Sequence, residues 1–203
     1  MGVNLVPEVR DFKLLDREFV AMEHKTNPNQ VADGSVEDGC LSEGHHLVLR
    51  FDFYCHNKGD QDLKIGDPSK SPLYKNVGNR WILKDPFNTF SLTNDAGAKY
   101  GGTKVVFCIE DDSGEFDCFN QGIKAGNYDL YEKQLPCNLI VVDGIKDGDY
   151  KFEATTNATS VMAARENKPI PIVEDNYNDN TVTLRLCIKG SKVDIIDPNS
   201  PCM

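Results

Sequence analysis

Residues 46–56, HLVLRFDFYCH, constrain this chain more than any other stretch. Leu47, Leu49, Phe51, Phe53 and Cys55 alternate with Val48, Arg50, Asp52, Tyr54 and His56. Side chains in extended backbone alternate faces with a period of two, so this stretch is a strand with one dry face. A dry face needs a second layer to cover it. Short strands are predicted over 87–92, 104–109, 139–142, 150–156 and 181–188, with a tail at 193–196. They are separated by Asn94-Asp95-Ala96-Gly97, Asp112-Ser113-Gly114 and Lys146-Asp147-Gly148, which have the residue types of tight turns. No long helical pattern, internal repeat or low-complexity segment interrupts them. The expected fold class is all-β, an antiparallel β-sandwich with long loops, built as one domain over 1–203. Residues 9–25 fit neither the helical nor the strand period. Residues 26–44 and 66–79, rich in Gly, Pro, Asn and Asp, read as loops, and a loop as long as 66–79 is often functional.

The formal net charge of −10 argues against a nucleic-acid partner, because binding a phosphate backbone needs a basic footprint. Such a charge serves solubility or attracts cations and basic partners. No apolar run approaches the roughly 20 residues of a membrane span. Seven cysteines, none spaced as CxxC, predict disulfides and an oxidising, secreted setting. The opening MGVNLVPE has neither the basic region nor the apolar core of a signal peptide, and Met1 and Gly2 read as additions ahead of a mature domain. Asn157, in Asn-Ala-Thr, heads the glycosylation sequon of a secreted glycoprotein.

NLVPE, LVLRFDFYCHNKGDQDL, KVVFCIED, NQGI, NYDLYEKQLPC, IVVDGIKDGDYKFEATTN and EDNYNDNTVTLRLCIKG occur in this order over nearly the whole length. In sequence and spacing they resemble the catalytic domain of lysyl oxidases. The resemblance implies a β-sandwich with long functional loops. It also implies a cofactor made by cross-linking a lysine to an oxidised tyrosine, which captures a substrate amine while copper serves the redox steps. The lysine before the FC-x-ED strand is matched by Lys104, and the second tyrosine of Y-D-x-Y by Tyr131. The copper-binding His-x-His-x-His run has no counterpart. Its positions are matched by about Gly78, Arg80 and Ile82, and no histidine follows His56.

The same resemblance implies a calcium site. Some members bind calcium through an E-x-D-Y-x-N-N run with help from an Asp-Leu pair near the domain start. Carried over, the ligands are Glu174, Asn176, Asp179 and Asn180, with Asn4 and the Leu5 carbonyl. Asn176 and Asn4 stand where the family has Asp, and Asp179 replaces an Asn. Read by itself, 174–180 is an Asx-rich turn with the oxygen donors calcium prefers. The resemblance further pairs Cys108 with Cys118 and Cys187 with Cys202. Cys137 matches a family cysteine whose partner position is Asn127 here. Cys40, Cys55 and Cys137 are left over, and the odd count leaves one free or bound to another chain.

The leading expectation is a secreted, copper-free relative of lysyl oxidases: a pseudoenzyme acting as an extracellular-matrix, wall or surface module on a protein or polymer. Its candidate contact surfaces are 66–86 and the acidic 110–117. Calcium is the cofactor expected; copper and the lysine tyrosylquinone are not. The alternative is an atypical amine oxidase acting on peptidyl lysine through a Lys104–Tyr131 quinone, with metal from His24, His46 and His56 or a partner chain. A third reading leaves Lys104 and Tyr131 as a stabilising contact.

Overall fold

A computed structural model describes residues 2–77, 80–104 and 108–202. The elements in chain order are β1 (Leu5–Phe19), β2 (Gly44–Asn57), β3 (Leu63–Gly66), β4 (Tyr74–Val77), β5 (Arg80–Leu83), β6 (Asn88–Thr93) and β7 (Lys99–Lys104). They continue with β8 (Gln121–Ile123), β9 (Tyr128–Tyr131), β10 (Leu139–Val141), β11 (Gly148–Thr155), α1 (Ala158–Arg165), β12 (Thr181–Lys189) and β13 (Lys192–Ile196). The fold is all-β, and every strand pair among these elements is antiparallel.

Two sheets make the body. One places β2 between β1 and, on its other edge, β9 and β10; the other runs β13-β12-β11-β6-β7. The odd-numbered face of β2 packs against the second sheet as its alternation requires. Phe51 meets Phe90 at 4.8 Å and Phe152 at 5.1 Å between ring centroids, and Phe53 meets Phe90 at 5.5 Å. Edge-to-face aromatic contacts of this kind add stabilisation beyond burial alone. The even-numbered Val48 joins Phe19, Leu41 and Leu139 in a small satellite core under the 26–43 segment.

Residues 9–25 resisted assignment for a physical reason. They lie mostly in β1, whose pairing with β2 shifts register between Arg10 and Lys13, where Asp11 adopts φ +53°. One extra residue flips which face the following side chains occupy. Leu5 and Val9 reach the main core from odd positions before the bulge, and Leu14 from an even one after it.

Several expectations need correction. The 66–86 segment is not a free loop, because β4 and β5 pair as a hairpin within it. Of the strand expected over 104–109, only Lys104 is in a strand, as the end of β7; 105–107 lie outside the described residues and 108–110 are not in a strand. In the acidic 110–117 segment one carboxylate, Asp111, turns inward. Asp111 is buried and accepts hydrogen bonds from Ser113 and from the Lys124 backbone N–H. Phe116 is buried and Glu115 pairs with Lys124, while Glu110, Asp112, Glu115 and Asp117 are exposed, as is the Phe119 ring just beyond them.

Cys108–Cys118 and Cys187–Cys202 are bonded as the resemblance implies. Cys40 pairs with Cys137, which leaves Cys55 free and buried. The Asn157 sequon does not suit a glycan on the folded chain. Asn157 is 2% exposed, and its Nδ2 donates to the Ile172 carbonyl at 3.1 Å and to Glu174 Oε1 at 2.6 Å.

Candidate functional site

Lys104 is the last residue of β7 and pairs with Asn88 of β6. Gly102, two residues earlier, lets β7 pass close to β10: a Cβ there would run into the Leu139 carbonyl oxygen. Tyr131 ends β9 opposite Phe53, and Asp129 shares its face two residues back. The two strand ends bring Lys104 and Tyr131 together. Lys104 Nζ lies 5.8 Å from the Tyr131 ring centroid, over its face. The amine donates to the Pro136 carbonyl oxygen, and Tyr131 OH donates to Asp129 Oδ2. Both strand ends open on a cavity of about 250 Å³ that Asp38, Arg80, Glu110, Leu130 and Leu135 also line.

Burial sets the electrostatics here. Lys104 is 7% exposed, and loss of water pulls its pKa from 10.5 down to about 8, against the opposing pull of Asp38, Asp129 and Asp33. The ammonium has no carboxylate within ion-pairing distance among the described residues. Burial also pushes the Asp129 carboxyl and the Tyr131 phenol well above their usual ranges. The cavity therefore holds an amine biased toward neutrality beside a carboxyl biased toward retaining its proton.

Of the positions matching the copper ligands, Gly78 lies outside the described residues. Arg80 lines the cavity, and its Nη2 lies 2.7 Å from Asp38 Oδ1. Ile82 sits in β5 opposite Lys75. A guanidinium and an aliphatic chain offer copper no lone pair. The histidines do not converge elsewhere: each is engaged by its own carboxylate, His24 by Glu43, His45 by Asp16, His46 by Asp143 and His56 by Glu8. His46 and His56 are both on β2, ten residues and so about 33 Å apart in extended backbone. The residues present do not fit a copper centre at this cavity.

The oxygen-rich cluster lies where β1 begins and β12 is about to. The buried Glu174 accepts from the Leu5 backbone N–H through Oε2, and from Asn157 and Asn180 Nδ2 through Oε1. Asn4 Nδ2 donates to Asp179 Oδ2 at 3.0 Å. Five of the six expected ligand residues are thus linked. The sixth, Asn176, has its Oδ1 taken by the Asn178 N–H at 3.0 Å. Three buried oxygens of the cluster, Asn4 Oδ1, Asp179 Oδ1 and Asn180 Oδ1, have no hydrogen-bond donor. Burial, with the Asp179 charge nearby, raises the Glu174 pKa. Unsatisfied acceptors beside two carboxylates are what a hard cation would complete.

Asp129 and Asn157 escaped sequence reasoning. Asp129 was legible by alternation as the residue sharing the Tyr131 face. Asn157 reads as a sequon, and only the fold turns it into a support for Glu174. Pro136 offers a backbone carbonyl, which leaves no signature in a sequence. A larger, more open groove of about 720 Å³ over Thr89, Ser91 and Thr155 is also lined by the charged Lys99, Glu153 and Arg165.

Comparison with known proteins places these features. The lysyl oxidase family model matches residues 12–197. Lysyl oxidase homolog 2 of Gallus gallus is 25% identical over 190 residues, covering 89% of this chain and 23% of the relative. The Homo sapiens homolog 2 is 25% identical over 178 residues, 78% of this chain and 22% of its own length. That of Xenopus tropicalis is 26% identical over 176 residues, with 77% and 22% covered. The chain spans less than a quarter of the curated relatives it matches.

Proposed function

The chain belongs to the lysyl oxidase family, and on that premise we propose that it is a secreted structural or binding module without copper-dependent amine oxidation. The observation that carries this reading is Arg80. It lines the cavity that Lys104 and Tyr131 open into, at a position matching a copper ligand, while all four histidines are engaged elsewhere. The Arg80 guanidinium, paired with Asp38 Oδ1 at 2.7 Å, has no lone pair to offer a copper ion there. Three disulfides support an oxidising, extracellular setting. The partner is an extracellular or surface protein or polymer, met through the hairpin of 66–86 and the acidic 110–117 segment, with the exposed Phe119 just beyond it.

Calcium belongs to this reading as a structural ion. Glu174, Asp179, Asn180 and Asn4 would hold it, with Asn176 after release of its turn bond and with the Leu5 carbonyl. It would supply charge neutralisation and oxygen coordination, tying the start of β1 to the segment before β12.

A second reading, an atypical amine oxidase, is favoured by one observation: Lys104 Nζ stands over the Tyr131 ring. Intact mass and elemental analysis of one purified sample decide between the two. Unmodified Lys104 and Tyr131 without copper are the expected result. Near-stoichiometric copper with a mass change mapping to a Lys104–Tyr131 cross-link would overturn the first reading.

A further inference from the structure

We propose that the Lys104 cavity captures aldehydes, its amine forming an imine with a carbonyl compound carrying a short aliphatic chain. The proposal rests on the preceding reading, because it needs Lys104 as a free primary amine.

The geometry supplies the three things imine formation requires. The nucleophile is a lysine amine lining a cavity of about 250 Å³ and held by one backbone carbonyl. No carboxylate among the described residues lies close enough to lock it as an ammonium. The second requirement is a proton donor, and Asp129 lines the same cavity, linked to the Tyr131 hydroxyl. The third is a wall for the rest of the ligand, which Leu130, Leu135 and the Cys108–Cys118 disulfide provide. Desolvated lysines are the residues that serve as Schiff-base formers. The lowered pKa of Lys104 agrees with that role.

The step balances without an oxidant. The Lys104 lone pair attacks the carbonyl carbon, and the carbonyl oxygen takes a proton from the Asp129 carboxyl. The nitrogen returns a proton to Asp129, the carbinolamine loses water, and a carbon–nitrogen double bond remains. One water is released per imine, and Asp129 ends as it began. Burial raises the Asp129 carboxyl pKa, which favours the protonated form that this step uses.

The test is reductive trapping with butanal and cyanoborohydride at pH 7.5, read by intact mass and peptide mapping. At that pH an amine with a pKa near 8 carries roughly two-hundredfold more neutral form than an ordinary lysine. The expected result is one butyl group on Lys104, formed at least about tenfold faster than on an exposed lysine such as Lys70. Labelling spread evenly over surface lysines while Lys104 remains a free amine would overturn the proposal and leave the copper-free reading standing. A Lys104–Tyr131 cross-link found before butanal is added would overturn both. The wild-type map needs no variant. As a second arm, Asp129→Asn is expected to slow labelling at Lys104 and leave labelling at Lys70 unchanged. Equal rates at Lys104 would remove Asp129 from the step.

Discussion

Adding calcium should stabilise this protein, and the structure sets the scale. Asn4 Oδ1, Asp179 Oδ1 and Asn180 Oδ1 are buried without donors. A buried polar atom left unpaired costs about 1–3 kcal/mol. Glu174 and Asp179 add two neighbouring carboxylates, and their mutual repulsion contributes to the raised Glu174 pKa. A divalent cation coordinated there removes both penalties at once. By mass action, an ion present at a hundred times its dissociation constant stabilises by about 2.7 kcal/mol. For a chain of this length that corresponds to a rise of roughly 5–11 °C in Tm. The assay is thermal unfolding in calcium and in chelator, with isothermal titration to count bound ions. Asp179→Asn keeps an acceptor for the Asn4 amide but removes a charge. It should unfold near the wild-type temperature in chelator and lose most of the calcium increment. Identical melting in calcium and chelator, with no ion bound, would refute the reasoning and leave 174–180 an Asx-rich turn whose oxygens water satisfies.

Three further outcomes follow from other contacts. Lys104 has a folded-state pKa below its unfolded value, so the unfolded chain holds that proton more tightly and stability rises with pH between about 8 and 10.5. Lys104→Met is therefore expected to gain about 3 kcal/mol at pH 7 and to lose that gain towards pH 10.5; urea unfolding at both ends that shows a constant difference would contradict this. The Cys40–Cys137 bridge spans 97 residues, and replacing both cysteines with serine should cost about 4–5 kcal/mol in the chain-entropy model, seen as a lower urea midpoint. Cys55 is fully enclosed and its thiol pKa is driven upward by burial, so a thiol reagent should label it only at the rate of unfolding; rapid labelling of the native protein would show that the core opens there.

The alternation of 46–56, the short strands and the turn chemistry determined the sandwich by themselves, because burying one face of a strand is a local pattern with a period of two. Lys104, Tyr131 and the residues around Glu174 were legible because whole motifs carry them in order. The β1 bulge at Asp11 was not legible, since one inserted residue scrambles the period that sequence reading relies on. Nor were the short strands β4 and β5, whose hairpin pairing outweighs weak local preference. The partner of Cys137 was decided by the closing of the 26–43 segment over β10, which no spacing along the chain records. The same is true of the burial-driven pKa shifts of Lys104 and Asp129, one downward and one upward. Charge in a sequence is formal, and only burial, a property of the assembled sandwich, says which of those charges the folded protein resists carrying.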